Sequence, residues 1–464
     1  MPSRREQIQS HQHAMQRVVG AFVAGDAEPA QEPTRRLGAA AFAGLLVAAV
    51  ALAGAGVFGL LRPGGSTGWK HEDAVVIERE TGTRYVYRGG LLYPVANFSS
   101  AVLAVGRAPE PVIVSRASLS GTARGPLIGI AGAPDALPAA DRLLRDAWSV
   151  CATSGRDSGG ATTVTSEVLV ARAPSGGTDL GDAGILVREN GSQKVYLVWH
   201  GRRFAINSKQ ALTALNVDAQ PRIPVDDAWL NTVPVGLQIT QPPVEGRGKA
   251  STPLPSYLVG QVITVDGAGY LVRQADLLPL TPVEQAMILA DPNTASAYPN
   301  ATPAAKTVQA ADIAAVTKAT RPPASDLDPP AQPPAMASAD AARMICTTFA
   351  DGQAAPKFVL NADPRPGGEG IATNGSATDL VADRVLVPPA SGVLVRSAQS
   401  SEADSGTLFL VTDQGRRFAV PGTEPLAWFG YGGAKPIELP ANVVARIPAG
   451  PALDPRAARR PLTG

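Results

Sequence analysis

Histidine and cysteine are scarce in this chain of 464 residues, which carries four of the first and two of the second. His11 and His13 stand near the amino end, His71 follows the longest apolar run and His200 precedes Gly201. No two of them have metal-ligand spacing, and neither cysteine belongs to a CxxC pair, so no metal site is expected. A GxSxG nucleophile elbow is missing as well. Acidic residues are scattered, and each reads as solvated surface. The formal net charge is only +1. A nucleic-acid binder needs a basic excess to displace phosphate counterions, which excludes that class.

A Walker loop needs GxxxxGK[ST], in which backbone amides cradle phosphates and the lysine reaches the terminal ones. The nearest approach is Gly246-Arg247-Gly248-Lys249-Ala250-Ser251. Pro243 stands where the motif should open, Ala250 replaces the hydroxyl residue, and no apolar strand precedes it. Lys249 is therefore expected to be a solvated linker residue. No catalytic, cofactor-binding or metal-ligating residue is assigned, and the chemistry points to a structural or assembly protein.

Aromatic residues make up 5% of the chain and charged residues 17%, against 47 glycines and 42 prolines. That balance favours short strands, turns and extended connections over one large helical core. The exception is Leu37 to Leu61, LGAAAFAGLLVAAVALAGAGVFGLL, which has no charged side chain. As a helix it would extend about 37 Å, more than a hydrocarbon core of about 30 Å. Ala53-Gly54-Ala55 resembles a signal-peptidase site, but a tail of 36 residues precedes the run, which is long for a signal peptide. An uncleaved anchor is expected. Arg17, Arg35 and Arg36 on one side balance Arg62, Lys70 and Arg79 on the other, and the Arg35-Arg36 pair abutting the span, together with the cysteines, tips the expectation to a cytoplasmic amino end. The tail reads as an amphipathic helix. Ser3-Arg4-Arg5-Glu6 fits a capping box, and Ile8, Met15, Val19 and Phe22 share one stripe. Its polar face is weakly cationic, so a protein partner is expected to cover it.

Beyond the span the chain repeats. Gly201-Arg202-Arg203-Phe204-Ala205-Ile206 matches Gly415-Arg416-Arg417-Phe418-Ala419-Val420. Each follows an alternating apolar run, and each is announced by a second one, Gly184 to Arg188 and Gly392 to Arg396. Apolar runs around a Gly-containing turn are hairpin signatures. Weaker copies lie at 85–95 and 270–280. Asn97, Asn207 and Thr281 open N-capped helix starts after three of the hairpins, and Pro421 to Pro425 occupies that place less clearly after the fourth. Four hairpin-plus-helix modules follow.

Cys151 lies between modules one and two, and Cys346 between three and four, in the similar settings Ser149-Val150-Cys151-Ala152-Thr153 and Met344-Ile345-Cys346-Thr347-Thr348. The order module, Cys strand, module thus occurs twice. If the halves pair about a quasi-twofold axis, the two strands meet at the centre. An isolated cysteine pair in an exported chain is expected to be bridged. Residues 241–256 and 291–342 read as linkers, the second largely extended with one short helix near Val308–Lys318. Residues 451–464 read as a mobile basic tail.

The sequence resembles the EccB family of actinobacterial type VII (ESX) secretion systems over nearly its whole length. The strongest block is Val114-Ser115-Arg116-Ala117-Ser118-Leu119-Ser120-Gly121, continuing through Arg124-Gly125-Pro126, Gly129 to Asp135 and Trp148-Ser149-Val150-Cys151. Tyr93-Pro94-Val95-Ala96-Asn97 is similar too. The aromatic and double-Arg pattern of the family's first helix is replaced here by His13-Ala14-Met15-Gln16-Arg17. The resemblance implies a membrane complex with EccC (an FtsK-like motor ATPase), EccD and EccE, exporting small helical proteins of the WXG100 and PE/PPE kinds. It implies an elongated exterior of four repeats around a disulfide-bearing centre, and ATP hydrolysis in some members.

The expected fold class is α+β, one N-terminal transmembrane helix followed by four small repeats around a disulfide-linked central β domain. The map is cytoplasmic tail 1–36, span 37–61, repeat one 62–140, centre 141–183, repeat two 184–250, repeat three with its Ala/Pro-rich linker 251–335, centre 336–390, repeat four 391–450 and tail 451–464. Expected partners are EccC-, EccD- and EccE-like subunits, a second copy through the exterior, and the lipid bilayer. Rival readings are an extracytoplasmic ATPase and a wall-binding membrane-anchored protein.

Overall fold

The computed structural model describes residues 3–24, 33–61, 65, 67–338, 343–352, 355–363, 370–373, 380–398 and 406–462. They fall into two compact units, one drawn from residues 1–71, 76–83 and 112–123, the other from the remainder.

In the first unit, helices span Arg4–Ala24 and Pro33–Leu61. The Ser3 amide donates to Glu6 Oε2 at 2.7 Å, which supplies one arm of the expected capping box. Ile8, Met15, Val18, Val19 and Phe22 are all exposed, Phe22 at 90%. Gly38–Val57 is long and apolar enough to cross a membrane, and none of it is buried inside the protein. Val76 to Glu78 pair in parallel with Val112 to Val114. The buried Glu78 carboxylate meets Arg116 Nε at 2.7 Å, and the Arg116 amide donates to Glu80.

The second unit shows the repeat in full. In repeat two, Ile185–Glu189, Val195–Trp199 and Arg202–Ile206 form an antiparallel meander, followed by helix Lys209–Ala214. Arg222–Val225 then pairs in parallel with the first strand. Repeat three has the same order in Val262–Val265, Ala268–Val272, Leu277–Leu280, helix Pro282–Ala290 and Lys306–Thr307. Repeat four has it in Gly392–Ala398, Thr407–Thr412, Arg416–Val420, helix Glu424–Trp428 and Ile437–Pro440. For repeat one this unit holds the hairpin Arg84–Arg88 with Leu91–Pro94 and the helix Phe98–Val105. The caps form as their residue types require. Asn97, Ser208 and Thr281 side chains accept the N3 amides, and Thr281 with Glu284 completes a capping box. Thr423 makes no such bond.

A closing segment lies along the third strand of every repeat, through parallel bridges Leu92 to Arg124, Arg203 to Val235, Leu277 to Lys318 and Arg417 to Ala449. The next residue donates its amide back to that strand, from Gly125, Gly236, Ala319 and Gly450 at 2.8–3.0 Å. On the three glycines a Cβ would overlap the ring of Tyr93, Phe204 or Phe418. In repeat three the ring is replaced by Leu278 and the glycine by Ala319. Ring and glycine change together because a side-chain carbon and an aromatic face cannot share that space.

The expected hairpin-plus-helix module is present and is extended by a first strand, a parallel strand and a closing segment. Two other expectations need correction. Residues 241–256 are no free linker, because Arg247 is paired with Asp291 at 3.0 Å and Ser251 bonds to Arg273 and Tyr257 backbone. Residues 451–462 are no free tail either, since Leu453 and Ala458 are fully buried and Pro455–Ala458 is helical. Of the extended stretch, Ala310–Ile313 forms a short 3-10 helix, and Arg321 binds Glu284 through its two terminal guanidinium nitrogens, Nη1 and Nη2.

Candidate functional site: the disulfide centre and the repeat pairs

The seven-stranded central sheet draws on both halves of the chain. Trp148–Arg156 and Thr162–Leu169 come from the first, Met344–Phe349 and Lys357–Leu360 from the second. The two inner strands are antiparallel, with Cys151 directly opposite Cys346. The two are joined by a disulfide, their Cα atoms 4.0 Å apart. Both are fully buried beside Leu169 and Leu386. Antiparallel pairing of two equivalent strands sets a local twofold between them, as the duplication requires.

Side chains alternate across a strand, so Trp148, Val150 and Ala152 face the other way from Cys151. There they join a core with Ile185, Val187 and Val225 of repeat two and Val393, Val395 and Ile437 of repeat four. The repeats also pair outside this core. Phe204, Ala211 and Leu215 of repeat two pack on Val283 and Met287 of repeat three. Leu103 and Ile130 of repeat one pack on Leu410, Phe418 and Tyr431 of repeat four.

Polar groups at these junctions were not visible in the sequence. Ser166 donates its amide and hydroxyl to Asp383 Oδ2 at 2.8 and 3.1 Å. Asp226, which caps helix Asp227–Leu230, has its carboxyl pushed up by burial, with the Asp383 charge adding to the rise. Burial lowers Arg446, which the Asp226 charge partly offsets. Asn442 Nδ2 donates to Asn231 O at 2.7 Å, tying repeat four to repeat two. On the surface Asp227 is pushed up to about 6, first by a hydrogen bond shared with Glu189, whose own pKa is lowered.

The glycine-rich turn is pinned through Arg247. Arg247 points inward to Asp291 and Thr294, while Lys249 is exposed. Burial would raise the Asp291 pKa, but hydrogen bonds from Gln241 and Asn293 and the Arg247 charge lower it. His200 stacks on Trp199 with ring centroids 3.8 Å apart and stands 3.3 Å from Asp182. Among the described residues no group of three His, Cys, Asp or Glu could hold a metal ion.

An apolar helix that precedes, along the chain, an internally duplicated β-rich body with a disulfide-centred sheet defines a membrane-anchored protein. More particularly, the chain belongs to the family described as "Type VII secretion system ESX-1, transport TM domain B", which it matches over residues 1–462. It is thus a membrane component of a type VII secretion complex. The ESX-3 secretion system ATPase EccB3 of Mycolicibacterium smegmatis is 28% identical over 97% of this chain and 89% of its own length. The ESX-1 secretion system ATPase EccB1 of M. smegmatis strain MKD8 is 27% identical over 97% of this chain and 94% of its own. Among solved structures, the EccB3 dimer from the ESX-3 core complex is similar at a TM-score of 0.62 and 26% identity, covering 83% of this chain and 99% of that one. A chain of the intact ESX-5 inner membrane complex shares the fold at a TM-score of 0.63 and 24% identity, covering 100% and 96%.

Proposed function

We propose that this chain is a non-enzymatic assembly subunit of its secretion complex, supporting export of small helical proteins of the WXG100 and PE/PPE kinds. It contacts EccC-, EccD- and EccE-like subunits. Its amino end lies in the cytoplasm and its repeats outside, as Arg35-Arg36 and a cysteine bridge suited to an oxidising compartment suggest. The observation that carries the assembly reading is the exposed stripe Ile8, Met15, Val19 and Phe22 on helix Arg4–Ala24. A lone amphipathic helix cannot bury such a face by itself.

The second reading is favoured by the names of the relatives, several of which are called ATPases. Against it stands the turn at 246–251, where Arg247 is consumed by Asp291 and Pro243 and Ala250 break the motif. The test is a mild-detergent pull-down of the full chain with mass-spectrometric identification of partners. Deleting residues 3–24 is expected to loosen the complex, while Lys249→Ala leaves partners and secretion unchanged. A deletion that keeps the complex intact, joined to loss of ATP turnover in Lys249→Ala, would replace assembly with catalysis.

A further inference from the structure

Repeats two and four each send a tail across to a neighbouring repeat. After Gly236 the chain follows its own third strand, Ile239 N donating to Ala205 O at 3.4 Å. It then crosses to repeat three, where Arg247 meets Asp291, the residue that ends helix Pro282–Ala290. After Gly450 the same path recurs, Leu453 N donating to Ala419 O at 2.8 Å. This tail crosses to repeat one, where Arg459 Nε donates to Ala104 O at 2.9 Å in the last turn of helix Phe98–Val105. In both places an arginine secures the carboxyl end of the neighbour's helix, where cations are favoured.

The two tails differ in one respect. The first runs on covalently into the repeat it clamps. The second clamps a repeat more than 300 residues earlier in the chain, by contacts alone. Those contacts are compact. Gly129 N donates to Arg460 O at 3.3 Å, Leu462 N to Leu127 O at 2.9 Å, and Pro461 bridges Ile128. Leu453 and Ala458 fill the core shared by Leu103, Ile130, Phe418 and Leu426. Helix Pro455–Ala458 has only one turn. Short segments without a core of their own open at lower free energy than the sheet they lie on.

We infer that residues 451–462 are a releasable clasp, whose opening parts repeat one from repeat four while the central sheet and the pair of repeats two and three stay folded. The device is conformational. It exposes the apolar face around Leu103 and Ile130 without breaking the disulfide centre.

Hydrogen–deuterium exchange of the full chain in mild detergent tests this. In the unaltered protein, amides of 98–105 and 127–130 should exchange at least tenfold faster than those of 148–153 and 344–349. Leu453→Asp should widen that gap, leaving the central strands and 282–290 at their original rates. A cysteine pair at the bridged positions, Ile128→Cys with Pro461→Cys, should close it by slowing 98–105 at least tenfold. Should Leu453→Asp accelerate the central strands equally, or the covalent link leave 98–105 unslowed, the clasp does not open by itself and the inference fails.

Discussion

At the scale of single residues, the ring-and-glycine pairs form a packing rule that recurs in three of the repeats. A Cβ on Gly236 would come within 2.2 Å of the Phe204 ring, and one on Gly450 within 2.2 Å of the Phe418 ring. Gly236→Ala should therefore destabilise the protein by about 1–3 kcal/mol, the usual cost of overpacking, read as a lowered thermal midpoint. Ala319→Gly in repeat three, where Leu278 replaces the ring, should cost less than about 1 kcal/mol. Equal effects at the two positions would refute the pairing. A second residue-scale effect follows from Asp227 and Glu189. The Asp227 pKa is raised to about 6 in the folded protein, so its contribution is fully present below the ordinary aspartate value and is lost as pH rises through 6. Glu189, whose pKa is lowered, works in the opposite sense below its ordinary value. Between those limits one shared proton joins the pair, and above 6 two like charges face each other. Asp227→Asn keeps a donor without the charge. Relative to the unaltered chain, its thermal midpoint should rise by about a degree between pH 5 and pH 7, and a pH-independent difference would count against the shared proton.

At the scale of elements, what was legible in the sequence depended on length and alternation. Val195 to Trp199 and Leu408 to Val411 alternate beside a Gly turn, and both proved to be meander strands. The parallel strand that completes each repeat left no such mark. Arg222–Val225 has four residues, one of them Pro224, and Lys306–Thr307 only two. Their pairing is fixed by the crossover helix before them, not by a local pattern. The turn at 241–256 misled for a related reason. Its prolines and glycines are those of a linker, but one buried ion pair between Arg247 and Asp291 holds it down. The side chains are 14% and 9% exposed, so removing one partner strands a buried charge. Arg247→Ala should cost about 3 kcal/mol at neutral pH, whereas exposed Lys249→Ala should stay within about 0.5 kcal/mol. The Asp291 pKa is lowered, so the pair's contribution is present above the ordinary aspartate value and is lost as pH falls. The gap between the two variants in chemical denaturation should narrow in acid. A gap that stays constant down to pH 3 would mean that Arg247 acts through packing alone.

At the scale of the whole molecule, the duplication foretold that the cysteine strands would meet, yet not which repeats would pair. That second pattern rests on helix faces brought together by chain crossings, such as Ala211 with Met287 and Leu103 with Leu426, and sequence separation gives no hint of it. The disulfide ties both patterns to one point. Cys151 and Cys346 are 195 residues apart in sequence and directly opposed in the sheet, so the bond closes a loop containing repeats two and three. In the chain-entropy account, closing a loop of that length restricts the unfolded ensemble by about 5 kcal/mol. Replacing both cysteines with serine should therefore lower the denaturation midpoint far more than any exposed substitution in 291–338. It should do so mainly by freeing the unfolded chain, with the folded sheet retained by the Trp148, Val150, Ile345 and Phe349 core. Non-reducing peptide mapping of the unaltered chain supplies the necessary control, since a link between two copies would close no such loop and would leave the monomer's stability unchanged by the substitution. If mapping finds the bond within one chain and the double serine variant still melts at the original midpoint, the centre is held by its apolar core and the bridge is dispensable for the fold.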